Sequence, residues 1–316
     1  MAYSLCSSSV ANLGEQACDK SRGVGKKLFI FNGTIAEADC ATPAAFLAKM
    51  VANSKLSKID PNKVFPINEI QDIADNSEAN TEGTFNLGFK TTLREGKPAY
   101  TFKVAAGSDL LKRLRTFNNQ TIRVIEYAAN GTFWGTKIGT GFKGFQVKLF
   151  FSGNKIATGQ AIEEGFVTVT MSVMSVSEYF DNAYWVGVDG NVEDIVPLID
   201  VEMKYISKAS NVYKIGLQIA GSNLAGPFNV FDEVGAAVAA LAANFSAGTG
   251  TSYGTTLGIT SIAVDNSLKA LTVTFDSTAF AALSSGAAIR LTGPTPTQLD
   301  GGNVPGTELL SVVLTK

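Results

Sequence analysis

The sequence predicts a mainly β protein with two or three short helices, made of a larger hairpin-built region and a smaller two-sheet region. Three observations carry this. Short segments alternate apolar and polar residues: Phe85, Leu87, Phe89 and Leu93, then Tyr100, Phe102 and Val104, then Val167, Val169, Met171 and Val173. Strands follow one another through turn residues and not through helical crossovers, which argues for antiparallel pairing. Finally, composition changes near Ile206–Asn211: the last 106 residues hold 4 Lys and Arg against 6 Asp and Glu, leaving 22 of each in the first 210. A chain of 316 residues has room for two cores.

In chain order, residues 1–27 are Ser-, Gly- and Asn-rich without periodicity and read as an extended arm. Leu28 to Phe31 is a short strand. Thr42-Pro43 gives a helix start, a capping hydroxyl followed by Pro, and Phe46, Leu47, Met50 and Val51 recur at helical spacing. A polar stretch, Gln71 to Glu82, precedes a long hairpin over 84–104 whose turn is placed at Arg94-Glu95-Gly96-Lys97-Pro98. Its wet face carries Thr84, Asn86, Lys90 and Thr92, with Lys90 the single charge assigned to it. A second helix follows: Ser108 caps it, Asp109 sits in its first turn, and Leu110, Leu111, Leu114 and Phe117 form its apolar stripe. Strands at Ile122–Tyr127 and Thr132–Ile138 flank Asn130-Gly131, a tight-turn dipeptide. Phe145–Phe150 and Phe166–Val173 complete the region, the latter turning Thr168, Thr170 and Ser172 to water.

The boundaries read from this pattern are a β-rich domain over 28–205, a linker at 206–210 and a C-terminal domain over 211–316. In the last, Tyr213 to Ile219 alternates, and a helix turns Val234, Val238, Leu241 and Phe245 inward. After a Gly/Ser/Thr loop, Ser246 to Thr256, strands follow at Ile262, Leu271–Phe275, Ile289–Leu291 and Leu309–Leu314, as in a small immunoglobulin-like sandwich.

The composition narrows function. Net charge is -2, with no basic footprint for tight nucleic-acid binding and no polybasic membrane patch. No apolar run approaches the ~18 residues that span a bilayer, and the N-terminal residues lack a signal-peptide pattern. Cys6, Cys18 and Cys40 are odd in number and read as free thiols, with a Cys6–Cys18 pair as the alternative. With no His, neither a Ser/His/Asp nor a Cys/His arrangement can be built. Gly139-Thr140-Gly141-Phe142-Lys143-Gly144 matches a dinucleotide-loop pattern, but an alternating strand follows it where a helix is required, so it reads as a turn. Gly23-Val24-Gly25-Lys26-Lys27 has Lys27 where a phosphate loop needs a hydroxyl. Asp189-Gly190-Asn191-Val192-Glu193-Asp194 lacks the glycine and the closing Glu of a calcium loop. Phe133, Trp134, Phe180, Tyr184 and Trp185 read as packing or subunit-contact residues. The expectation is a non-enzymatic chain with no cofactor and no metal.

The arrangement resembles the tail tube (major tail) proteins of tailed bacteriophages over roughly residues 20–205. The resemblance rests on an N-terminal arm, a polar loop at about 68–82, a long hairpin followed directly by the helix Ser108–Phe117, further strands, and an appended immunoglobulin-like module. It implies a tube-like β-sandwich or barrel domain whose copies form a ring, usually hexameric. Thr84, Asn86, Lys90, Thr92, Thr168, Thr170 and Ser172 would line the channel, with Leu110, Leu111, Leu114 and Phe117 on an outer helix. Its implied partners are further copies of the chain, a tape-measure protein, transiting DNA held without tight binding, and a tail sheath, with no membrane. Its implied location is the virion tail, assembled in the host cytoplasm. Two other readings stand beside it: a capsid decoration protein, and an extracellular β-sandwich that binds carbohydrate or protein.

Overall fold

A computed structural model describes residues 25–67, 70–84, 90–105, 108–153, 166–219 and 229–316. The described chain is mainly β, with 22 strands and six α-helices, and forms two compact units. Unit 1 comprises Met1–Ser54 and Ile59–Val196; unit 2 comprises Lys55–Lys58 and Pro197–Lys316.

Unit 1 runs β1 (Gly25–Ile30), β2 (Ile35–Ala36), α1 (Pro43–Ser54), β3 (Phe65–Pro66), β4 (Ile70–Asp75), β5 (Thr81–Thr84), β6 (Lys90–Arg94), β7 (Ala99–Ala105) and α2 (Ser108–Leu114). It continues through β8 (Thr121–Ala128), β9 (Thr132–Ile138), β10 (Gly141–Lys143), β11 (Phe145–Gly153), β12 (Phe166–Val173), α3 (Val176–Phe180) and β13 (Ala183–Gly187). Eleven strands form one sheet with the path β2-β10-β9-β8-β11-β12-β7-β4, to which β1, β3 and β13 add beside it.

Local chemistry sets several elements. The Thr42 hydroxyl accepts the Ala45 N–H (3.1 Å) with Pro43 at the first helical position, so α1 starts where its cap and proline dictate. Gly131 takes φ +78° in the β8–β9 hairpin and Gly139 takes φ +61° between β9 and β10; the glycine-rich motif is thus a turn between antiparallel strands.

The hairpin predicted over 84–104 does not form: β6 and β7 do not pair with each other and instead follow one another along one arm of a longer hairpin. Its arms are Ile70–Thr84 and Lys90–Ala105. β4 pairs with β7 from Ile70↔Val104 to Asp75↔Tyr100, and β5 pairs with β6 from Thr81↔Arg94 to Thr84↔Lys90. Between these ladders Asn76 N–H donates to Ala99 O (2.8 Å), Glu78 N–H to Lys97 O (3.0 Å), and Gly96 N–H to Asn80 Oδ1 (2.8 Å). Thr84 and Lys90 are therefore the last described pair of this hairpin, and residues 85–89 lie outside the described set. Gly96 serves a close backbone approach and not a turn: a Cβ there would stand 1.8 Å from the Glu78 carbonyl oxygen. The stretch Gln71–Glu82 is accordingly the first arm of the hairpin and not a loop. Leu93, expected in the core, is 66% exposed, because none of the core clusters of the described residues extends over the two-stranded β5–β6 ladder. Phe85, Leu87 and Phe89 lie outside the described residues, as do residues 1–24 of the expected arm; Gly25–Lys27 open β1 instead.

Two cores occupy opposite faces of the large sheet. On one, Phe102, Val104, Val147, Leu149, Phe151, Val167, Val169, Met171 and Val173 pack together, and α2 lies over them through Leu110, Leu111, Leu114 and the following Phe117, as its stripe predicts. The N-cap assigned to Ser108 falls among side chains outside the described set. On the other face, α1 sets Phe46, Leu47 and Met50 against Phe29, Phe31, Ile125, Phe133 and Phe142. β1 supplies both, Leu28 and Ile30 to the first and Phe29 to the second, which explains its unbroken apolar run.

Unit 2 contains β14 (Ile199–Ala209), β15 (Val212–Ile219), α4 (Phe231–Ala240), β16 (Ser246–Thr249), β17 (Thr255–Thr256), β18 (Ile259–Asp265), β19 (Ala270–Phe275), α5 (Ser277–Ala282), β20 (Ala288–Thr292), α6 (Pro296–Gly301), β21 (Thr307–Leu310) and β22 (Val312–Thr315). A five-stranded sheet, β18-β19-β15-β14-β21, and a four-stranded one, β17-β16-β20-β22, share a core that includes Tyr213, Ile215, Val273, Phe275, Ile289 and Leu291. The final predicted strand is two, since the chain passes from the first sheet to the second between Leu310 and Val312. The Ser246–Thr256 stretch likewise contains β16 and β17.

The linker at 206–210 is not one. Ile206–Ala209 ends β14, and Ser210 (φ +58°) with Asn211 turns the chain into β15. The hairpin tip is exposed, and the units divide at Val196/Pro197.

Candidate functional site

The surface with the most continuous polar character in unit 1 is the face of β4, β7, β12, β11 and the start of β8 that lies opposite the α2-covered core. Register sets its composition. Thr168 pairs with Lys103 and Ser152, Thr170 with Thr101 and Phe150, and Ser172 with Ala99 and Lys148. One strand further out, Lys103 pairs near Asp72, Thr101 pairs with Ala74, and Lys148 with Thr121. Because cross-strand partners share a face, the hydroxyls of Thr101, Thr121, Ser152, Thr168, Thr170 and Ser172 lie on one surface. Its buried complement, Val167, Val169, Met171 and Val173, is fully in the core.

This face is not neutral, unlike the wet face predicted with Lys90 alone. Lys103 stands on it and pairs with Asp72 (3.6 Å). Arg123 donates to both carboxylate oxygens of Glu178 (3.2 Å each) and to Gly144 O (2.7 Å). Lys148 and Phe150, the latter 47% exposed, project from β11. Sequence periodicity already puts Lys103 and Lys148 opposite core residues, so both were legible as outward-facing; the Arg123–Glu178 pair, 55 positions apart, was not.

The predicted channel residues fall in two places. Thr168, Thr170 and Ser172 are half-buried on the open face. Thr84 and Thr92 are exposed on the separate β5–β6 ladder, where Thr84 pairs with Lys90 and Thr92 with Glu82. Asn86 and the side chain of Lys90 lie outside the described residues.

Both margins of this face are finished with polar groups. β4 is the terminal strand, exposed from Gln71 to Asp75, bulged between Ile70 and Asp72, and carrying two aspartates, features that blunt an open edge. Beyond its pairing with β8, β11 meets Asn118, whose amide donates to Phe151 O (3.1 Å) and accepts from Phe151 N–H (2.7 Å). One side chain thus imitates a neighbouring strand.

The other chemistry-bearing features form structure. Trp134 on β9 pairs with Trp185 on β13 and is buried, with its indole N–H donating to Thr132 Oγ1 (2.7 Å). Phe133 and Tyr184 are buried too, whereas Phe180 is exposed. A small cleft is lined by Glu37, Cys40, Lys137, Phe142 and Tyr184. Burial, with Asp39 and Glu37 nearby, pushes the Cys40 thiol up to about 12, and burial also raises the Tyr184 hydroxyl, so both stay protonated at neutral pH. Lys137 is held there by Glu37 (3.2 Å). The Asp189–Asp194 turn is fixed by Asn191, which accepts the Glu193 N–H (3.1 Å). Among the described residues no group of three or more His, Cys, Asp or Glu could hold a metal, and no helix is long and apolar enough to cross a membrane. Set against known proteins, the chain matches no family model, no curated protein and no solved structure.

Proposed function

We propose that this chain is a virion structural protein, a tail tube subunit that assembles into stacked hexameric rings around a DNA channel. The observation that carries the reading is the open hydroxyl-rich face across five adjacent strands. A sheet with one covered side and one broad wet side can line a water-filled passage once neighbouring copies close a ring. Short hydroxyls carry no charge to pair with phosphate, and two of the face's three basic side chains, Lys103 and Arg123, already have carboxylate partners, which leaves Lys148 and limits phosphate pairing and its salt-dependent affinity.

In this reading unit 1 is the tube-like barrel component and unit 2 an immunoglobulin-like module carried on the ring. The outer half of the hairpin, β5–β6, makes contacts between copies: it is exposed, and among the described residues it forms a sheet of two strands only. The partners are other copies of the chain, a tape-measure protein, DNA in transit and a tail sheath, and the site of assembly is the host cytoplasm.

Negative-stain electron microscopy of the purified chain at rising concentration tests this. Hollow rings or stacked tubes with a central channel are expected. A monomer at every concentration, including after addition of preformed tail-initiation complexes from a lysate of infected cells, overturns the proposal and favours a decoration protein.

A further inference from the structure

Unit 2 is not a contiguous stretch of chain, since Lys55–Lys58 belongs to it. These four residues, Lys-Leu-Ser-Lys, are held by three carboxylates. Glu308 on β21 is 6% exposed and accepts from Ser57 Oγ (2.6 Å) and from Lys58 N–H (3.1 and 3.2 Å to its two oxygens). Asp300 at the end of α6 takes the Lys55 ammonium (2.8 Å), and Asp200 on β14 takes that of Lys58 (3.1 Å). A carboxylate this buried needs donors, and without the segment the Glu308 carboxylate would lose each of the hydrogen bonds described for it.

We propose that unit 2 carries a docking cradle for a basic segment with a hydroxyl between two lysines, and that its occupant is this chain's own Lys55–Lys58. The recognition chemistry is divided. Glu308 reads the backbone amide and the hydroxyl at the buried centre, while Asp200 and Asp300 read the two ammonium groups at the more exposed margins, where screening weakens each pair. The cradle spans β14, α6 and β21, all more than 140 positions from the segment they hold. Residues 197–316 are therefore completed by a piece of the N-terminal region and are not the self-sufficient module that composition implies.

The test uses the full chain and its own lysines. Trypsin cleavage after Lys55 and Lys58, and amide exchange at Lys58, are measured by mass spectrometry in the parent protein, Ser57→Ala and Glu308→Gln. A seated segment resists both. Each variant removes hydrogen bonds to a buried charged group, so cleavage and exchange rise about tenfold or more in both. Cleavage after Lys214 and Lys269 in the same unit stays at the parent rate, which separates release of the segment from unfolding. Ser57→Ala keeps the result readable even if Glu308→Gln disturbs β21. Equal rates at Lys55 and Lys58 in all three proteins, or equal acceleration at every lysine of the unit, overturns the proposal.

Discussion

The two ends of the large sheet in unit 1 are built from similar strands and meet opposite fates. At the end holding β1, β8, β9 and β10, alternate residues enter two different cores: Ile30, Val124 and Trp134 go to one side, and Phe29, Ile125 and Phe133 to the other. At the β11-β12-β7-β4 end the described residues cover only one side, and the other carries Thr, Ser and Lys. What differs is the presence of α1. The helix brings Phe46 against both Phe133 and Phe142 (5.2 Å each), so the strands beneath it are apolar on both faces. Strands beyond its reach alternate. Lack of cover, more than lack of sequence hydrophobicity, defines the candidate surface.

The largest predicted effect measures that contrast directly. Phe133 is fully buried and touches the rings of Phe29, Phe46 and Tyr127. Phe133→Ala is expected to destabilise unit 1 by about 3–5 kcal/mol, whereas Thr170→Ala on the open face is expected to stay within about 0.5 kcal/mol. Tryptophan fluorescence during urea unfolding reads unit 1 alone, because both tryptophans of the chain, Trp134 and Trp185, lie in it. A cost above about 2 kcal/mol for Thr170→Ala would show that its face is a packed interface within the isolated chain.

Along the hairpin the same contrast appears between two glycines. Gly96→Ala sets a methyl 1.8 Å from the Glu78 carbonyl oxygen, where only backbone movement relieves it, and a cost of about 1–3 kcal/mol is expected with loss of amide protection in β5–β6. Gly83→Ala meets only the Leu93 side chain, at 3.0–3.2 Å, which is largely exposed and can turn aside; no measurable cost is expected. Below the Gly96 effect but above that at Gly83, Asn118→Ala uncaps the free part of β11. Removing its two hydrogen bonds to Phe151 is expected to cost about 1–2 kcal/mol and to speed amide exchange at Phe151 specifically.

What was legible in the sequence follows the same division. Strands with one wet face were readable from period-two alternation, as Val167–Val173 shows, and helices were readable from a cap with a stripe, as at Thr42, or from the stripe, as at Leu110–Phe117. The hairpin turn was misread because Gly96 and Pro98 carry the composition of a turn, while their role here depends on the approach of Glu78, fixed by pairing between distant residues. Leu93 was misread because alternation tells which side a residue takes but not whether anything covers that side. The linker was misread because an exposed hairpin tip and a flexible connection share the same small polar residues. The cradle around Glu308 was beyond reach for a related reason: Ser57 and Glu308 are 251 positions apart, and neither lies in a motif.

The smallest effect at neutral pH comes from the closed end, where Cys40 is 2% exposed. Burial first, then the nearby Asp39 and Glu37 charges, raises its thiol from the usual value of 9.0 to about 12 in the folded chain. A raised acid is stabilising while protonated in both states, so its contribution is complete below about pH 9 and is lost as pH rises from there toward 12. Tyr184, raised by burial and lining the same cleft, adds to the loss in the same direction. Unit 1 is therefore expected to lose stability above pH 9 with no change from this source between pH 6 and 8, and Cys40→Ala is expected to flatten the alkaline limb. Alkylation of Cys40 in the native chain at pH 8 should be at least tenfold slower than in the urea-unfolded chain, because the folded thiol is both buried and protonated. The open face carries no such buried acid among its described residues. An alkylation rate for Cys40 in the native chain at pH 8 equal to its rate in the urea-unfolded chain would place the thiol at the surface and remove the closed end from the comparison.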